Sequence, residues 1–144
     1  MANRFQFKIE VEIPAKAAST FKDAAEKALK QTAAELDGRF DDAISSKVWP
    51  WPFPDSNGKS SPRSIVDSGD LKQSKNYKLS GLVAEWTWTT NYAAAVHEGA
   101  RLWNGATLPA RPWTDAVLVG GTSGKVPVYK FSEELSKRIT DILK

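Results

Sequence analysis

The sequence predicts an α+β fold: a small antiparallel sheet with a long N-terminal-half helix packed on one face, and a C-terminal helix. Three observations carry this prediction. Apolar residues alternate strictly at Phe5, Phe7, Ile9, Val11 and Ile13, a three- and four-residue apolar repeat runs from Phe21 to Ala43, and a second alternating stretch ends in Trp86 and Trp88.

The first alternation, with Gln6, Lys8, Glu10 and Glu12 between the apolar positions, is a strand over 4–13 with one buried face. Pro14 stops the ladder because it has no N–H, and its fixed φ suits the first turn of a helix. From there to about Ile44 the chain is rich in Ala, Lys, Glu and Leu. Phe21, Ala25, Ala28, Leu29, Thr32, Leu36, Phe40 and Ala43 mark the buried stripe of a long amphipathic helix. Gly38 costs about 1 kcal/mol relative to alanine in a helix interior, so a bend or an early end is expected near it.

Residues 49–63 hold four of the eight prolines, which excludes a helix or a central strand and leaves an extended Pro/Trp-rich loop. A β-hairpin is predicted over 74–89, with its turn at Ser80 and Gly81 and with Leu82, Ala84, Trp86 and Trp88 on one face. Asn91 caps a helical turn from Tyr92 to His97, which Gly99 ends. Pro109 and Pro112 bracket Ala110 and Arg111, and Pro112 opens a short helix to Val119. A Gly-rich linker over 120–124 follows. Val126, Val128 and Phe131 suggest a short edge strand. Ser132 then caps the last helix, where Glu133 and Glu134 complement the dipole and Leu135, Ile139 and Ile142 form the buried side. There is no internal repeat.

A chain of 144 residues is one ordinary domain, 1–144. With 41% hydrophobic and 26% charged residues it is neither disordered nor collagen-like. It has no cysteine, so neither disulfides nor thiolate metal sites support it, which suits a reducing cytoplasm. The N-terminus has no continuous apolar block, and neither a signal peptide nor a membrane span is expected. The formal charge is +3 and the pI about 9.1. The surplus lies in 101–144, with seven basic against four acidic residues and no basic run, which reads as a solvated surface.

No catalytic, metal or cofactor site is expected. The single histidine, His97, adjoins Glu98 and precedes Asp115, but no nucleophile elbow or carboxylate pair accompanies it. Asp41/Asp42 and Asp67/Asp70 lack calcium-loop spacing, and Gly120, Gly121 and Gly124 lack the Gly-Lys-Ser/Thr of a phosphate loop. The six tryptophans are the most unusual feature. Trp86 and Trp88 are expected in the core. Trp49, Trp51 and Phe53, set among prolines, are expected at a protein interface, together with Arg101, Trp103 and Arg111.

Two stretches carry a family likeness. Arg63 to Ser74, RSIVDSGDLKQS, resembles the Asp-Ser/Thr-Gly-x-Leu-x-x-Ser signature of small neck and tail-completion proteins of tailed bacteriophages, on Asp67, Gly69 and Leu71. Asn91 to Leu118 resembles the same proteins' Tyr-Ala-x-x-x-His/Glu-x-Gly segment and the Pro-Ala-Arg-Pro-aromatic run after it, on Tyr92, His97, Gly99, Pro109, Arg111, Pro112 and Trp113. The loop at 49–63 and the insertion at 119–131 depart from that pattern.

The resemblance implies a structural virion protein of the head–tail junction (connector, neck or tail-completion/terminator ring), assembled in the host cytoplasm. It implies a homo-oligomeric ring, six-fold because tails are six-fold, with neighbouring head–tail connector and tail proteins as partners. DNA would pass through the lumen without sequence-specific binding. The loop at 49–63 and the segment 100–111 are expected to supply contacts between unlike patches of adjacent copies. Two rival readings are a nucleic-acid-binding module using the basic surface and aromatic loop, and a small hydrolase using His97 and Glu98.

Overall fold

The computed structural model of the chain describes residues 4–46, 48–49, 70–90, 92–101, 105, 107–120 and 126–144. Strand β1 (Phe5–Glu10) is followed by the 27-residue helix α1 (Ser19–Ser45), a one-turn helix α2 (Asp70–Gln73) and the hairpin β2 (Lys75–Ser80) and β3 (Val83–Trp88). Helix α3 (Ala93–Glu98), a two-stranded ribbon of β4 (Ala100–Arg101) and β5 (Thr107–Leu108), helix α4 (Trp113–Leu118) and helix α5 (Phe131–Leu143) complete it. The predicted α+β architecture is therefore present.

The sheet order is β1-β3-β2, antiparallel throughout. Register places Phe5, Trp88 and Lys75 in one row, Phe7, Trp86 and Tyr77 in the next, and Ile9, Ala84 and Leu79 in the third. Directly opposed residues share a face, so these rows form the side that α1 covers. Phe40 is the contact point, its ring meeting Phe7, Trp86 and Trp88 edge-on at 5.6, 5.3 and 5.7 Å between centroids. Polar ties hold the same crossing. Trp86 Nε1 donates to Asp37 Oδ1 at 3.0 Å, and the Lys75 ammonium lies 2.9 Å from Asp37 and 2.7 Å from Asp41. Burial works against that ammonium, but its hydrogen bonds to Asp41 and Asp37 prevail and its pKa rises above the ordinary lysine value.

Helix α5 lies against α1 through a second set of ties. Arg138 pairs with Glu35 and donates to Thr32 Oγ1 at 3.3 Å, while Tyr129 Oη donates to Glu35 Oε2 at 2.8 Å. The hydrogen bond from Arg138 holds the Glu35 carboxyl below its usual range. Burial, aided by Glu35, pushes the Tyr129 phenol up to about 12, so it remains a donor.

Several boundaries differ from expectation for identifiable reasons. β1 ends at Glu10 because its partner ends: β3 begins at Val83 after a turn at Gly81, and only Val11 N to Leu82 O, 2.9 Å, extends the ladder. Pro14 heads an isolated turn, closed by Ala17 N to Pro14 O. Ala18 is extended at ψ 149°, so the helix starts at Ser19. Gly38 does not end α1. It lies on the exposed side, between Leu36 and Phe40, whose burial holds the helix in place.

The edge strand expected over Val126–Phe131 is absent. Tyr129 N is taken by Val117 O at 2.7 Å, Phe131 is the first residue of α5, and Lys130, not Ser132, is its N-cap. Glu133 and Glu134 do occupy the first turn. The helix before it runs from Trp113 to Leu118 with Pro112 at the N-cap. In α3 the N-cap is Tyr92, while Asn91 and the linker at 121–124 lie outside the described residues. The ribbon β4–β5 and the helix α2 are additions that periodicity did not reveal.

Two substitutions test this packing. Phe40→Ala removes a fully buried ring at the crossing and is expected to cost about 3–5 kcal/mol in denaturant unfolding. Gly38→Ala is expected to stabilise by about 1 kcal/mol, since a Cβ there meets nothing within 4 Å and the helix continues on both sides.

Candidate functional site

The residues singled out by the two sequence motifs converge at one end of β3. Leu71 of α2 is 4% exposed. Ser74 follows it and links three segments: its Oγ donates to Leu71 O at 2.8 Å, Thr89 N donates to that Oγ at 3.1 Å, and Thr89 Oγ1 donates to Ser74 O at 3.2 Å. The last serine of the first motif thus fastens α2 to the end of β3. Asp67 and Gly69 lie outside the described residues.

The second motif forms the neighbouring layer. Gly99, at φ 83°, ends α3 in a conformation that only glycine adopts without strain, and its N–H returns to Ala95 O at 2.8 Å. The chain comes back along Pro109 and Ala110, and Arg111 N donates to Val96 O at 2.9 Å, joining the Pro-Ala-Arg-Pro run to α3. Trp113 is fully buried, edge-on to Trp88 at 5.2 Å and to His97 at 4.7 Å.

His97 is the centre of this layer. Its ring stacks on Phe5 at 3.8 Å, its Nδ1 lies 2.7 Å from Glu98 Oε1, and its Nε2 lies 2.7 Å from Thr114 Oγ1. A carboxylate only accepts, so Nδ1 carries the hydrogen; Nε2 then accepts from the threonine hydroxyl. One neutral imidazole therefore connects β1, α3 and α4. Burial depresses its pKa, and the opposing hydrogen bond to Glu98 does not restore it.

Hydroxyl, imidazole and carboxylate in a row is the order used in nucleophilic catalysis, but here the polarity is reversed. The hydroxyl residue, Thr114, is 1% exposed and His97 3%, whereas the Glu98 side chain is 65% exposed. A hydrolase needs its nucleophile at the solvent and its carboxylate inside. This arrangement fits a structural tie. Among the described residues, no group of three or more His, Cys, Asp or Glu is placed to hold a metal, and no helix is long and apolar enough to cross a membrane.

Two interface expectations are corrected. Trp49 is 4% exposed and donates its Nε1 hydrogen to Ala43 O at 2.8 Å, so it belongs to the core as a cap on the end of α1. Arg111 is 1% exposed and buried within its own chain, out of reach of a neighbouring subunit. Arg101 is exposed, and Tyr92 is 39% exposed. Trp51, Phe53 and Trp103 lie outside the described residues. Thr114 was missed by sequence reasoning, since nothing in the chain's pattern pairs it with a histidine seventeen positions earlier.

The buried imidazole makes stability depend on pH in a defined direction. Its folded pKa lies below the reference value of 6.5, so the unfolded chain binds the proton more tightly. The contribution is complete above that value and is lost as pH falls through the folded pKa. The urea midpoint is expected to drop between pH 7 and pH 5, and His97→Gln, less stable at pH 7, is expected to show a smaller drop. Comparison of the chain with family models, with curated proteins and with solved structures returned no match.

Proposed function

We propose that the chain is a structural subunit of the head–tail junction of a tailed bacteriophage, acting by assembly into a closed ring. The observation that carries this reading is the fate of the motif residues. Leu71, His97, Arg111 and Trp113 are buried, and Ser74 and His97 spend their polar atoms on neighbouring elements of the same chain. Residue types that could do chemistry are used here as fasteners. That is what a scaffold needs, and it agrees with the order and spacing of the two neck-like motifs.

Ring closure requires one patch on each copy to meet a different patch on the next. The exposed Arg101 on the β4–β5 ribbon and residues 50–63, which lie outside the described residues, are assigned to such contacts. Mass spectrometry of purified particles is expected to find the chain at a fixed low copy number, with antibody-gold label at the junction of head and tail. Infectious particles that lack the chain would overturn the proposal.

A further inference from the structure

The outer edge of β1 is unpaired among the described residues, since β1 pairs with β3 alone. Val11 N bonds Leu82 O, so by alternation the amides of Phe5, Phe7 and Ile9 face β3, and those of Gln6, Lys8 and Glu10 face the free edge. An open groove of about 440 Å³, lined by Phe7, Ile9, Leu118 and Phe131, runs alongside. Free backbone groups above apolar inward side chains are a template for a further strand.

The alternation is longer than the ladder that uses it. β3 and its turn supply partners only as far as Val11, yet Val11 and Ile13 remain half-buried with Glu12 exposed between them, as in Phe5–Glu10. Residues 5–13 are self-complementary about Ile9. Paired antiparallel with a second copy of itself on that centre, the strand sets Phe7 opposite Val11 and Phe5 opposite Ile13 on the inward face. On the outward face Lys8 meets Glu10 and Gln6 meets Glu12. These are the residues whose backbone groups face the edge, so each such pair exchanges hydrogen bonds. Pro14 falls opposite Arg4, and its missing N–H ends the ladder there. Centring on Lys8 or on Glu10 sets like charges directly opposite, and centring on Phe7 carries Val11 and Ile13 past Arg4, the first described residue.

We infer that two copies of the chain pair through β1, antiparallel about Ile9, joining their three-stranded sheets into one. Ile9 and Val11 of each copy then lie beside Ile9 and Phe7 of the other, at the mouth of its groove. The charge pattern selects a second copy as the occupant. Lys8 and Glu10 are exposed and 4.0 Å apart in their own chain, and the same two residues of the second copy complete a square of alternating charges. The β2 edge does not compete, because Lys75 points inward between Asp37 and Asp41. The contact is two-fold, closes at two copies, and does not rest on the ring reading above.

Charge reversal tests this register on exposed side chains, away from the core. In sedimentation the wild-type chain is expected as a dimer. Lys8→Glu and Glu10→Lys each set like charges opposite and are expected to weaken that dimer about ten-fold or more. An equimolar mixture of the two variants is expected to restore it, because each reversed charge then faces its opposite. The chain has no cysteine, so under mild oxidation a mixture of Gln6→Cys and Glu12→Cys is expected to give a covalent dimer that neither gives alone. A monomeric wild type, an oligomer that neither reversal weakens, a mixture that stays dissociated, or a disulfide that is absent from the cysteine mixture or forms as well in either variant alone would each overturn the inference. The presence of the chain in particles bears on the junction reading alone.

Discussion

The contact of Phe40 with Trp86 and Trp88 determines how the rest of the molecule is arranged. Side chains of this size on both surfaces hold α1 well clear of the sheet, and the space so created must be filled or the packing energy is lost. Phe7 and Tyr77 fill it on either side of Trp86, and Trp113 fills it beyond Trp88. The register of α1 along the sheet is then set by polar atoms: Asp37, one turn before Phe40, takes the indole hydrogen of Trp86 and joins Asp41 in holding Lys75. The cluster also carries a cost. Among the described residues, the indole N–H groups of Trp88 and Trp113 are buried without a hydrogen-bond partner, so the gain in area there exceeds what is lost in unmet polar bonds.

The two motifs, well separated in sequence, are contiguous because β3 lies between them. Ser74 bonds to Thr89 just past the end of β3, and Trp88, its last residue, packs against Trp113 of the second motif. Each motif supplies short polar groups at the ends of elements, where backbone donors and acceptors would otherwise face the interior unpaired. Gly99 reverses the chain so that Arg111 N can reach Val96 O, and the His97 imidazole then spans to Thr114. Rigidity at this end of the sheet comes from several such ties acting on neighbouring elements, in a chain with no covalent cross-link.

What could be read from the sequence and what could not divides along physical lines. The alternation through Phe5–Ile9 and the repeat through Ala25–Ala43 reflect burial of one face of a regular element, and such a pattern survives in sequence. The burial of Trp49 does not, because it depends on a carbonyl freed at the end of α1, a tertiary event with no periodic trace. Arg111 was expected at an interface, and its burial follows from the return of the chain to Val96. Val126, Val128 and Phe131 imitate a strand because spaced apolar residues suit either element over so short a span. Tyr129, bonded to Val117 O and to Glu35, turns that stretch into a pinned lead-in to α5. The gathering of His97, Trp113 and Thr114 was half legible: His97 and Trp113 were marked by the second motif, but Thr114 of α4 was not.

A sheet of three strands has two edges, and here they are unlike. At the β2 edge Lys75 points inward, held between Asp37 and Asp41. A strand added beside it would press against that charged group, and an inward charge of this kind blocks edge pairing. The β1 edge has apolar Phe5, Phe7 and Ile9 facing inward and a groove alongside. The outward positions Gln6, Lys8, Glu10, Asn76, Lys78 and Ser80 are exposed and polar, which opposes face-to-face stacking of sheets. One edge carries an inward charge, the other apolar side chains with a groove alongside, and one face is solvated. That asymmetry follows from where a lysine and a pair of aspartates fall in the register.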